Sequence, residues 1–351
     1  MKRSLIALAV LAASGAALAQ SSVTLFGVMD ATMAVGHGSI ANKTQLTNSG
    51  NTTTRLGFKG TEDLGGGLNA SFWIETGINN DDGSGQATNL NNTAAGATPA
   101  TGGITFNRRS TVSLSSQLGE IRIGRDYTPH FWNYVWFDPF TYNGVGGIAT
   151  VHGTIAGATK VRASNSISYF TPATLGGFYG QLMHYFGEQS SGTATSSDGN
   201  GTSLRVGYAK GPVNVAIATS QTNYLAPGNT KTTNVGASYD FGAAKLFGLY
   251  DQDKISGGTK GSGWLVGVSA PVGVGEFRAS YSGYKGTLTS NDPRLTKLAV
   301  GYVYNLSKRT ALYATIAHLN NKDGSAVTLN GATTAANSGS SGLDLGLRTS
   351  F

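Results

Sequence analysis

The residues that could act in concert are cations. Arg55, Lys59, Arg109, Arg122 and Arg162 lie in short segments where apolar residues recur at every second position. In "RLGFK" (55–59), Leu56 and Phe58 take one face, while Arg55, Gly57 and Lys59 take the other. Val112 and Leu114 oppose Arg109, Thr111 and Ser113 in the same way. Ile121 and Ile123 oppose Arg122, and Ile167 and Tyr169 oppose Arg162, Ser166 and Ser168. Period two is the mark of a strand between two different surroundings, so the five cations share the polar side. Few acids accompany them, chiefly Glu75, Asp126 and Asp138. Cations gathered on a wet surface concentrate counter-ions without making or breaking a bond. The chemistry expected is electrostatic.

Other chemistries find no support. The five histidines, His37, His130, His152, His184 and His318, are scattered and have no nucleophile or orienting acid at motif spacing. No catalytic residues, no metal site and no cofactor are therefore expected; no His/Cys/Asp cluster has ligand spacing. Gly273-Val-Gly275 and Gly144-Val-Gly-Gly147 sit in turns rather than between a strand and a helix, so they are not a dinucleotide fingerprint. Asp251-Gln-Asp253 and Asn80-Asp-Asp82 read as solvated loops, with a divalent cation near external lipid headgroups as the weaker alternative. The absence of any Lys/Arg run argues against nucleic acid.

The elements that position the cations follow from the same periodicity. Alternating segments occur at 23–30, 55–59, 70–75, 111–115, 120–124, 162–171, 175–187, 201–210, 212–223, 231–241, 243–254, 260–270, 274–286, 295–305, 309–320 and 342–351, sixteen in all. Their connections alternate too. Tight ones such as Lys210-Gly-Pro212 and Asp240-Phe-Gly242 face long Ser/Thr/Asn/Gly loops at 80–103, 188–200 and 321–341. Short turns at one end and long polar loops at the other describe a 16-stranded antiparallel transmembrane β-barrel, an all-β fold. Closure is the one way a sheet spans lipid without an unpaired edge. So many polar inward residues call for a water-filled interior.

Export fits this reading. Met1-Lys2-Arg3, the apolar run Leu5–Ala13 and the small residues Ala17-Leu18-Ala19 have the order of a signal peptide, residues 1–19, cleaved before Gln20. Residues 20–351 would form the barrel. The chain has no cysteine, 51 glycines and a net charge of +7, which becomes +5 when Lys2 and Arg3 leave. One segment breaks the pattern: His130-Phe-Trp-Asn-Tyr-Val-Trp-Phe-Asp-Pro-Phe140 is too aromatic for an exposed loop. It is expected to fold inward, as part of a loop at about 127–160, and lean on the barrel wall.

Several stretches together carry a resemblance. They are "SSVTLFGVMDA", "TRLGFKGTEDLGGGLNASFWIE" (54–75), "FNRRSTVSLSSQLGEIRIGRDYTPHFW" (106–132), "FDPF" (137–140), "NSISYFTP" (165–172) and the terminal "GLDLGLRTSF". The chain resembles a Gram-negative general porin of the β-proteobacterial, Neisseria- and Burkholderia-type branch. The resemblance implies an outer-membrane homotrimer whose third loop folds into each channel and faces a basic cluster on the wall. Matching motifs carry that cluster to Arg55, Lys59, Arg109 and Arg162. They also carry it to Arg125 of "GRDY", although its phase is formally outward, and a bulge could exchange Arg109 for Arg108. Asp138 of "FDPF" would be the acid of the loop. The implied function is passive diffusion of small solutes and ions with anions preferred; a channel specific for an organic anion or sugar is the alternative. Expected partners are outer-membrane lipid, lipopolysaccharide and the insertion machinery, for which a terminal Phe351 would be the address. In the last strand Leu343, Leu345, Leu347 and Phe351 should face lipid, and Asp344, Arg348 and Ser350 water. That strand should pair with the first at Val23–Asp30.

Overall fold

The structure, a computed structural model, describes residues 22–92, 103–152, 155, 157–287 and 292–351. The expected signal peptide and its cleavage point lie outside the described residues. All strands among the described residues belong to one antiparallel sheet that closes on itself. The first strand, Ser22–Gly38, pairs with the last, Ser340–Ser350, from Val28↔Ser350 to Gly38↔Ser340. The seam therefore lies further along the first strand than Val23–Asp30. The earlier part, Ser22–Val28, pairs on its other side with Thr61–Arg55.

Two short strands, Lys43–Asn48 and Ser84–Gly85, lie outside the sixteen alternating segments. Lys43–Asn48 pairs with Gly36–Ala31 on the side of the first strand that also holds Arg55–Gly65. Both are halves of one wall strand, broken at 49–54. The break curls around Asp30, whose Oδ2 accepts the N–H groups of Asn51 and Thr52 at 2.9 and 2.6 Å. A turn held by a side chain takes residues out of the ladder that period two cannot register. Ser84–Gly85 pairs only with Ile78–Asn79 and prolongs a hairpin beyond the wall. With the halves joined and this extension set aside, the wall has sixteen strands.

The alternation sorts as expected for a barrel in lipid. Val112 and Ile123 are 64% and 56% exposed on the outside, while Thr111 and Ser113 are buried within. No helix among the described residues is long and apolar enough to cross a membrane.

Between the strands Gly119–Tyr127 and Arg162–Phe170 the chain enters the barrel. It forms a helix, α1 (Pro129–Trp136), then a 3-10 turn at Ile148–Thr150. Pro129 opens the helix, where its missing N–H costs nothing. Tyr134, Phe137, Phe140, Val145 and Ile148 are almost wholly buried against the inner wall. The wall admits them by giving up side chains: a Cβ at Gly236 would collide with the Phe137 ring, and one at Gly342 with Val145. This is the close backbone approach for which a strand tolerates glycine.

Candidate constriction of the channel

Polar contacts fix the loop on the wall behind it. Lys297 donates from Nζ to the carbonyls of Val145 (3.1 Å) and Gly147 and to Thr150 Oγ1 (2.9 Å). Asp344 accepts the Val145 N–H at 2.7 Å. Asn133 bridges Asn234, at 2.8 Å, and Arg205 Nε, at 2.7 Å. His152 pairs with Asp251 where both are buried, and Asp253 accepts from Thr232 at 2.7 Å and Tyr284 at 2.9 Å. The Asp251–Asp253 segment is thus part of the inner wall, neither a solvated loop nor a headgroup site.

Asp138 was expected as a loop acid facing the basic cluster. The structure turns it away: it is 1% exposed and accepts backbone N–H groups from Phe140 (2.9 Å), Tyr142 (2.9 Å) and Ile148 (2.8 Å). Burial raises its carboxyl above the ordinary carboxylate range, opposed by those three donors and by Lys297. Its role is to knot the loop. Within α1, burial pushes the His130 imidazole down to about 4.

Opposite the loop, four arginines converge. Arg55, Arg108, Arg109 and Arg162 line a cavity of about 640 Å3, and loop residues Phe131, Trp132 and Tyr142 line its other side. Arg108 and Arg109 both reach it, so the choice between them falls away. Arg109 belongs to the strand Arg109–Ser116 with Thr111 and Ser113 on its inward face, and Arg108 enters from the residue before it. Arg108 donates to Glu75 Oε1 (2.5 Å) and to the Tyr127 hydroxyl (2.5 Å). Arg162 donates to the same hydroxyl at 2.9 Å and stacks 4.4 Å over that ring. Arg109 stacks 4.4 Å over Trp73. Aromatic faces hold guanidinium groups in place while leaving their charge uncancelled. Glu75 lies 3.9 Å from Arg55 and is the one carboxylate among the described residues lining this cavity.

A second cavity, of about 340 Å3, continues towards the end of the barrel where Ser22 and Phe351 lie. Lys59 and Arg122 line it, and Trp73 and Arg109 border both cavities. Arg122 is held by Glu120 (3.0 Å) and Asp126 (2.6 Å), which offset most of its charge. Arg125 joins neither group. Its guanidinium is engaged by Asn107 O (2.6 Å), Asn89 Oδ1 (2.7 Å) and Ser164 Oγ (2.7 Å), so it clasps loop to wall at a strand end where the register slips. Sequence reasoning missed Arg205 and Lys297. Both stand in phase with inward Ser203 and Ala299, and the alternation could have found them.

A family model described as Gram-negative porin matches residues 5–324. The chain is 40% identical, over all of both chains, to outer membrane porin protein 32 of Delftia acidovorans. The chain is a Gram-negative porin. This porin is also 28% identical to an outer membrane porin protein of Bordetella pertussis, over 90% of this chain and 93% of that one. Among solved structures, an anion-selective porin from Comamonas acidovorans superposes with a TM-score of 0.80 at 37% identity, covering 95% of this chain and all of that one. The outer membrane is thus the site of action of this porin, and the barrel is a passive channel through it.

Proposed function

We propose that this porin passes small hydrophilic solutes by size and prefers anions over cations, working as a homotrimer. One observation carries the charge preference. Four guanidinium groups and one carboxylate line the narrow cavity between wall and loop. A cluster of one sign in a water-filled constriction raises the local concentration of the opposite ion. No energy source enters the process. The relative from Comamonas acidovorans is described as anion-selective, which supports the same reading, and the resemblance to general porins supports the trimer. Phe351, as the terminal aromatic, would be read by the insertion machinery, and the outward apolar band would meet lipid and lipopolysaccharide.

The test is the reversal potential of the purified porin in a planar bilayer under a potassium chloride gradient. Chloride preference is expected, and Arg55→Ala, Arg109→Ala and Arg162→Ala should each lower it. A cation-selective wild type overturns the proposal.

A further inference from the structure

The side of the constriction that faces the arginines is not merely apolar. It is a row of aromatic rings. At the cavity Tyr142 and Phe131 meet edge to face at 5.0 Å and Phe131 and Trp132 are 6.3 Å apart; beyond it the row runs on to Trp136, 6.4 Å from Trp132, and to Tyr179 of the wall, 5.8 Å from Trp136. Two guanidinium groups, Arg162 and Arg205, reach this row or its neighbour. Tyr127 is 5.0 Å from Trp132 and carries Arg162 on its face. Arg205 stacks over Trp136 at 4.3 Å and Tyr179 at 4.8 Å. Packing of the loop accounts for some of these rings: Tyr134 and Phe137 are wholly buried on the wall side, and Phe131 is buried and stacked on Tyr127 at 5.4 Å. It leaves out the two tryptophans, since Trp132 is half-buried at the cavity and Trp136 is exposed.

A ring wall facing a guanidinium wall recognises one kind of solute: a flat aromatic ring bearing a carboxylate. The ring stacks on Trp132, which Phe131 and Tyr127 hold in place, in offset or edge-on geometry. The carboxylate takes paired N–H donors from an arginine opposite. We propose that the constriction is a weak binding site for aryl carboxylates, with Trp132 selecting the ring. The site rests on the anion-preference reading and adds to it a discrimination among anions of equal charge.

Benzoate and cyclohexanecarboxylate share charge and approximate size and differ in the π-face. The measurement is the concentration of each that half-blocks the single-channel chloride current of the wild-type porin. Benzoate should half-block at a roughly two- to tenfold lower concentration, the range that one ring pair supplies. In Trp132→Leu the ratio between the two should fall to about one. Equal block by both anions in the wild type, or no block by either, overturns the aryl-carboxylate site. So does a ratio that Trp132→Leu leaves intact. The potassium chloride reversal potential separates the two readings. If chloride is preferred while the two carboxylates behave alike, only the ring site fails; if chloride is not preferred, the charge reading fails with it.

Discussion

Glu75→Gln should make this channel more anion-selective, and the size of the gain follows from the geometry. Arg108 Nε and Arg55 Nε lie 2.5 and 3.9 Å from the Glu75 carboxylate. An anion bound to either arginine, about 3 Å further on, would sit roughly 6 Å from that carboxylate. In a water-like dielectric the repulsion at that distance is about 0.7 kcal/mol. Screening at 0.1 M salt, with a Debye length of ~10 Å, leaves about 0.4 kcal/mol, which is roughly a twofold change in anion occupancy. At 1 M the screening length is ~3 Å and about 0.1 kcal/mol survives. Glutamine keeps the shape and one acceptor oxygen, which can serve Arg108 Nε; Trp73 Nε1, which donates to the other carboxylate oxygen at 3.2 Å, loses its acceptor. The assay is the reversal potential of the variant and the wild type at both salt levels. The chloride-to-potassium preference should rise about twofold near 0.1 M and stay nearly unchanged near 1 M. A preference that falls, or a gain that does not shrink with salt, would refute the screened-charge argument.

Other perturbations test what holds the loop and the seam. Lys297→Met removes the donor of two loop carbonyls and Thr150, each lost buried bond costing about 1–3 kcal/mol; the open channel should become noisier and more conductive in single-channel recording. Buried His130 titrates near 4 in place of its ordinary 6.5, so the unfolded loop binds more protons between those values. The loop's stability should be intact above pH 6.5 and decline as pH falls towards 4, seen as growing current noise that His130→Gln suppresses. Deleting Phe351 removes its two backbone bonds to Gly27, at 3.0 and 3.1 Å. The yield of heat-modifiable folded barrel on gels should drop, while channels that do insert keep the wild-type reversal potential.

Period two made the wall legible because a strand in a barrel has only two faces, and lipid and water sort residues between them without ambiguity. The inward position of Arg55, Arg109 and Arg162 needed nothing more. The same rule has no purchase on Arg125, since at Gly124 the ladder slips and the face is set by loop residues Asn89 and Asn107. It also could not say that Asp138 turns back on its own loop. That depends on three N–H groups brought to one point by a turn, and those groups appear in any sequence. The aromatic run signalled burial, but the division between rings that pack on the wall and rings that face the cavity came only with the helix. Turning through α1 puts Tyr134 and Trp132 on different sides, a three-dimensional fact hidden in a run of six aromatics over ten residues.

The modest net charge of the chain conceals a lopsided interior. The inward acids on the loop side are already engaged: Asp30 by Asn51 and Thr52, Asp344 by Val145, Asp251 by His152, and Asp253 by Thr232 and Tyr284. Carboxylates suit that task because an ionised oxygen accepts N–H and O–H donors with no proton of its own to place. On the opposite wall Arg109 and Arg162 lie over aromatic faces, and the four arginines of the cavity share the single lining carboxylate of Glu75, which leaves net positive charge available to solutes. Folding the loop therefore sorts the charges as well as narrowing the tube. It engages two of these acids, Asp344 through the Val145 N–H and Asp251 through His152, and leaves the arginine cluster on the wall it faces. By this argument the anion preference is a property of the docked loop, and a variant that frees the loop, such as Lys297→Met, should lose selectivity together with its narrow conductance.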